Sequence, residues 1–237
     1  RDSSTSRGLG DVYKRQDVCF QNLNVKIVGM GSGLSWSSLG PTHHTTEDIS
    51  VLRAIPNLMI LSPATPRQVV ACVQTAYEHD GPVYIKIGMN HEKEYFEDNY
   101  VHDIKKSDCL REGKNIAVFV TGSILEEAVK TCEMLEQDGI SAKLINVTTI
   151  KPFNEKEVID IVKEIDKVAV IEEHNIHGGL ASIISETITY NGLEARVIPI
   201  GLNDTFAEGY GTYAMVRKAN QLDAINIYRR MKEAYEE

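Results

Sequence analysis

From Asn24 onward, short apolar runs alternate with longer stretches of helical periodicity. Asn24–Val28 (NVKIV), Leu58–Leu61 (LMIL) and Val83–Ile87 (VYIKI) have the length of buried strands, and their β-branched residues suit a pleated surface. Glu47–Ile55 reads as a helix closed by Pro56. Thr65 reads as the cap of a second helix, with Pro66 at its first position, running to about His79. Gly81-Pro82 makes the turn into the third strand. This β-α-β-α-β order predicts a parallel sheet with helices on both faces.

Residues 91–114 break the rhythm: they are highly charged and read as a solvated linker with at most a short strand, His91 and His102 included. A second series then predicts strands at Asn115–Val120, Ala142–Val147, Val168–Ile171 and Ala195–Ile200. Ser123 and Glu126 have the spacing of a capping box on a helix ending at Gly139. Asn154 is expected to cap another helix, Gly178-Gly179 to open one that reaches about Tyr190, and Ala224–Tyr235 to form the last. The expected fold class is α/β: two consecutive units, each a mainly parallel sheet flanked by helices, at 17–100 and 101–237. Residues 1–16 (RDSSTSRGLGDVYKRQ) start with arginine and carry few apolar side chains, too few to offset the entropy of ordering them. They read as a non-native-looking tail, and the patterned text from Asp17 as a domain whose start lies further upstream.

Composition narrows the function. Of 237 residues, 42% are apolar and 25% charged, as in ordinary globular proteins. The formal net charge of −9 argues against a nucleic-acid partner, since phosphate neutralisation needs clustered Lys and Arg. No apolar run approaches the roughly 20 residues that span a bilayer, and no secretion signal is visible, so a cytoplasmic chain without a membrane partner is expected. Cys19, Cys72, Cys109 and Cys132 form no C-x-x-C pair and are expected to be reduced, mostly interior thiols.

Candidate chemistry concentrates in Gly29–His44, GMGSGLSWSSLGPTHH, between the first strand and the next helix. Ligand sites in open parallel sheets gather at the carboxyl ends of strands, and glycines let backbone approach a ligand. His43 and His44 add proton chemistry near neutral pH. The alternative is a polar loop whose histidines only cap the Glu47 helix. The segment lacks the third glycine of a dinucleotide fingerprint and the Gly-Lys-Ser/Thr of a P-loop. Glu172–Gly179 offers His174 and His177 as alternative metal ligands, but its glycines predict a helix-opening loop and no metal site. Asp204–Gly209 reads as a structural turn.

Three segments in order carry a resemblance. GPTHHTTEDISVLRAIPNLMILSPAT resembles the G-P-T-H-x-x-x-E…R-x-x-P-N segment of transketolases, VAVIEEHNIHGGLASIISE their C-terminal domain, and IGLNDTFAEGYGTYAMVRKANQLDAINI its closing segment. The resemblance covers the chain from Asp17 to its end. It implies a truncated pyrimidine-binding domain at 17–100 and a transketolase C-terminal domain at 101–237. It also implies thiamine diphosphate and a divalent cation such as Mg, both bound mainly by regions outside this chain. His43 takes the place of the histidine that contacts substrate and moves protons, with His44 beside it as a substrate-binding neighbour. The implied function is a C-terminal subunit or fragment of an enzyme transferring a two-carbon ketol unit between sugars. Its partner would be the diphosphate-binding N-terminal subunit, in a homodimer or heterotetramer. Rival readings are a 1-deoxyxylulose-5-phosphate-synthase-like or other 2-oxo acid decarboxylating subunit, and a non-catalytic structural subunit.

The sequence departs from transketolases at three positions. Leu39 stands where an acidic residue precedes G-P-T, Gly31 where a histidine is usual, and Met89 where an arginine holds the sugar phosphate. Lys86 is the nearest base, but strand alternation sends it to the other face from Met89. These departures point away from the ordinary phosphorylated sugars.

Overall fold

The computed structural model describes residues 14–237. The expected tail therefore lies largely outside the described residues; its last three, Lys14–Gln16, belong to a π-helical turn, Lys14–Cys19. Strand β1 (Lys26–Met30) leads into a long loop and helix α1 (Asp48–Arg53). Then come β2 (Met59–Leu61), α2 (Pro66–Glu78), β3 (Val83–Ile87) and β4 (Asp108–Arg111). Next are β5 (Ile116–Thr121), α3 (Leu125–Gln137), β6 (Ala142–Asn146), β7 (Thr149–Lys151) and α4 (Glu155–Val162). The chain continues through β8 (Lys167–Asn175), α5 (Leu180–Tyr190) and β9 (Arg196–Leu202) to α6 (Tyr213–Ala219) and α7 (Ala224–Glu236).

Two sheets form, in the orders β1-β3-β2-β7 and β4-β6-β5-β8-β9. Only β7 and β4 run antiparallel to their neighbours, so the α/β architecture of two mainly parallel sheets holds. Although β7 belongs to the second half of the sequence, it extends the first sheet by pairing with β2.

Strand alternation builds the interior. On β5, Ile116, Val118 and Val120 face α3 and α7, while Ala117 and Phe119 join the opposite cluster, which holds residues of α4, α5 and the first unit. The second set joins Ile49 and Leu52 of α1, Tyr84 of β3, Val170 of β8 and Ile184 of α5 in a core shared by both units. A smaller core packs Cys72 and Ala76 of α2 on Leu61 and Ile85. Each of the valine, leucine, isoleucine and phenylalanine side chains among them, fully buried, contributes about 1.5–3 kcal/mol. Cys19, Cys72 and Cys132 are buried, Cys109 is exposed, and none is disulfide-bonded.

Helix α2 begins as expected, with Pro66 at its first position and the Thr65 hydroxyl accepting from the Gln68 N–H. Four local expectations need correction. Ser123 and Glu126 make no capping box: Gly122–Ile124 winds as a 3₁₀ turn, Ile124 takes the cap position of α3, and the Ser123 hydroxyl is buried without a partner. The Asn154 side chain does not cap α4; its Nδ2 donates to the Lys105 carbonyl at 2.6 Å. The linker is not uniformly solvated. His102 is buried, bridging Thr75 of α2 at 3.0 Å and Thr149 of β7 at 2.9 Å. Finally, β8 runs through Asn175, so Glu172, Glu173 and His174 are strand residues, not loop residues. A strand buried on both faces loses its alternating signature, and charges inside it read as its end.

Candidate functional site

The loop after β1 lies across the carboxyl ends of β1 and β3. The N–H groups of Gly31 and Ser32 both donate to the Ile87 carbonyl, at 2.9 and 3.0 Å. A tight turn follows, in which the Leu39 and Gly40 N–H groups donate to the Trp36 carbonyl and His43 N–H donates to Gly40. Thr45 N–H closes the loop on the Gly33 carbonyl at 3.0 Å. Gly31 has φ +85°, and a Cβ there would collide with the indole Nε1 of Trp36, so only glycine fits. Gly40 likewise lies against the ring of Tyr210.

The second unit holds this loop from below. Leu34 is fully buried and its N–H donates to Glu173 Oε2 at 3.2 Å. The other Glu173 oxygen accepts from Arg217 Nε at 2.5 Å, and Tyr213 OH donates to Oε2 at 2.6 Å. Arg217 also donates to the Ser123 carbonyl at 2.7 Å and stacks 3.8 Å over the Tyr213 ring. Helix α1 is fixed from several sides. Lys86 donates to Asp48 at 2.5 Å and to the Thr45 carbonyl at 2.9 Å, while Tyr84 OH donates to Asp48 at 2.8 Å. Arg53 pairs with Glu186 of α5. Lys86, with only 4% of its side chain exposed, is therefore committed to Asp48 and unavailable to an anion at the loop.

The candidate histidines part company. His43 is exposed, with Nδ1 3.0 Å from the Thr42 hydroxyl. His44 is half-buried, and both its ring nitrogens are shielded from solvent without a well-formed hydrogen bond, the Trp36 backbone favouring its charged form. Burial is the main reason its pKa is lowered, against the opposing pull of Glu173. The two residues with which the sequence departs at the rim, Leu39 and Met89, are 45% and 37% exposed.

The Glu172–Gly179 segment is structural clamping in its buried part. Glu172 accepts from the N–H groups of Leu180 and Ala181, at 2.8 and 3.0 Å, at the start of α5. Burial nonetheless pushes its pKa up to about 7. His174 places Nε2 3.2 Å from the Ser50 hydroxyl of α1, while Nδ1 lies 2.6 Å from the Asn175 carbonyl. Burial, with Lys86 nearby, lowers its pKa to about 4. His177 is exposed. Among the described residues, no group of three His, Cys, Asp or Glu gathers as a metal site, so the pair His174 and His177 is not completed by a third ligand. Asp204 has φ +52° in its turn, and Phe206 and Tyr210 beyond it are largely exposed. The anchoring roles of Glu173, Tyr213 and Arg217 have no local signal in the sequence. Arg217 follows Tyr213 by four residues, which puts both on one face of α6, but nothing local pairs them with Glu173.

None of the helices among the described residues is long and apolar enough to cross a membrane. Residues 10–90 match the transketolase pyrimidine-binding domain and residues 105–227 the transketolase C-terminal domain. The chain is 33% identical to an apulose-4-phosphate transketolase subunit of Actinobacillus succinogenes, covering 89% of this chain and 68% of that protein. It is 34% identical to a putative transketolase C-terminal section of Methanocaldococcus jannaschii, covering 92% and 69%. The chain thus spans about two thirds of the length of these relatives. A solved split-gene transketolase, described as an inactive β4 tetramer, superposes with a TM-score of 0.88 at 28% identity over 97% of this chain and 73% of that one. With both domains matched in order and two mainly parallel sheets in the expected arrangement, the chain belongs to the transketolase family.

Proposed function

We propose that this chain is the C-terminal subunit of a two-component transketolase-type enzyme, and that His43 is its proton-moving residue. The observation that carries the reading is the contrast within the loop: His43 alone of the neighbouring pair presents its ring to solvent at the carboxyl ends of β1 and β3. An imidazole there can hold a substrate hydroxyl and exchange its proton near neutral pH. His44, with its ring nitrogens sealed, shapes the wall behind it.

Thiamine diphosphate, when bound, would supply the carbon–carbon cleavage and the two-carbon transfer. The described residues do not gather a divalent-cation ligand set. The diphosphate and its cation belong, in this reading, to a partner subunit that completes the active site, in a dimer of chains or a heterotetramer in the cytoplasm. The relatives include a protein named as one subunit of a transketolase, and the superposed β4 tetramer is described as inactive; both support a chain that needs a partner. The domain division at about residue 100 belongs to the same reading. Leu39 and Met89 give the rim no charge, and Lys86 is engaged elsewhere, so an unphosphorylated sugar or one bound to a carrier such as a nucleotide suits the site better than an ordinary sugar phosphate.

Calorimetric titration with thiamine diphosphate and magnesium tests the division of labour. The isolated chain should show no binding at micromolar cofactor, and the assembled complex should bind. Micromolar or tighter binding by the isolated chain contradicts it.

A further inference from the structure

We propose that Trp36 is a specificity-determining residue of this site, forming the platform on which an unphosphorylated sugar rests by its C–H face. The inference rests on the reading of the chain as a sugar-handling transketolase subunit. Trp36 is the chain's only tryptophan. It is half-buried, its indole lying directly over Gly31, with Nε1 in the space that a Cβ there would need. With φ +85° and the indole in that space, position 31 takes only glycine, and the half-buried indole covers the start of the loop.

The position of the ring is set by the turn that also carries His43. The Trp36 carbonyl accepts from Leu39 and Gly40, and the Gly40 carbonyl accepts from His43 N–H. On the other side, Asn90 Nδ2 donates to the Ser35 carbonyl at 3.4 Å, holding the Met89-Asn90 segment against the same turn. Trp36, Leu39 and His43 therefore share one turn, with the Met89-Asn90 segment held beside it. Among the described residues the indole N–H donates to no protein group, and it is not sealed from solvent, so it keeps a free donor beside its apolar face.

That combination fits a particular ligand chemistry. An aromatic ring with one polar handle binds groups that are apolar on one side and hydroxylated at the edge. A sugar has this character: C–H groups on its face and hydroxyls around it. A phosphate dianion would need fixed cations, and Lys86, which reaches this loop at the Thr45 carbonyl, is buried against Asp48. The donor Nε1–H can take one sugar hydroxyl while His43 takes another.

The test labels the chain with 5-fluorotryptophan, giving one ¹⁹F resonance, and assembles it with unlabelled partner subunit. D-Ribose and D-ribose 5-phosphate are titrated in, and both are assayed as acceptors with L-erythrulose as the common donor. D-Ribose should move the resonance. Trp36→Phe should raise KM for D-ribose by about tenfold with kcat within about threefold, while KM for D-ribose 5-phosphate stays within about twofold. A resonance unmoved at saturating D-ribose, or equal changes in both KM values, overturns the assignment. An assembled enzyme that transfers no ketol unit yet shows the D-ribose-dependent shift would remove the functional reading and leave the platform standing.

Discussion

His43 and His174 both lie beyond or at the carboxyl end of a parallel strand, where ligand sites gather, yet their surroundings differ completely. His174 is 1% exposed, with one ring nitrogen at Ser50 and the other at the Asn175 carbonyl. His43 is exposed, and only Nδ1 has a neighbour, the adjacent Thr42 hydroxyl. One ring has both nitrogens engaged in joining α1 to β8; the other has Nε2 open. Position at a strand end is thus shared by clamps and by candidate catalysts, and the free hydrogen-bonding capacity tells them apart. The same contrast runs through the region. The loop surface is open and nearly uncharged, and the seam beneath it holds Lys86–Asp48 and Arg217–Glu173 away from water.

The seam should yield the largest effect. Arg217→Met leaves Glu173, 5% exposed, as an uncompensated buried carboxylate and should cost about 3–5 kcal/mol in urea unfolding. Adding Glu173→Gln should cost much less than its effect alone, because the two changes share one interaction. Additive losses would mean that the pair does not anchor the loop.

Next come opposed pH slopes. Folding holds His174 neutral, with its pKa lowered from 6.5 to about 4, so its contribution is full above pH 6.5 and is lost as pH falls towards 4. The span amounts to about 3 kcal/mol. Glu172 is raised from 4.5 to about 7, so its contribution is full below pH 4.5 and is lost as pH rises through 7. His174→Gln should therefore make stability increase as pH falls from 6.5 to 4.5, and Glu172→Gln should steepen the acid-side loss. Unfolding free energies measured across that window check both, and parallel profiles in the two variants would refute the assignment.

Much of this organisation is legible in the chain. Strand runs such as NIAVFV and the Thr65-Pro66 helix start are local signals, and the structure keeps them. The loop is conspicuous because glycines and two histidines fall between a strand and a helix. What stayed hidden depends on partners distant in sequence. The three-residue β7 has too little pattern to be seen without β2. Glu172 and Glu173 look like a polar turn until α5 supplies N–H groups and α6 supplies Arg217. Ser123 lost its expected capping role because the chain winds tightly at Gly122, with φ +69°, before α3 begins.

The most direct test compares His43→Ala, His44→Ala and His174→Ala in the assembled enzyme, measuring kcat and unfolding free energy together. His43→Ala should lower kcat by roughly 100-fold, the scale of one lost acid–base contact, with stability within about 0.5 kcal/mol of the parent. His44→Ala should lower kcat by less than about tenfold, and His174→Ala should register first as lost stability, about 1–3 kcal/mol. Equal loss of turnover in the His43 and His44 variants, or a His43→Ala enzyme as active as the parent, would contradict the account.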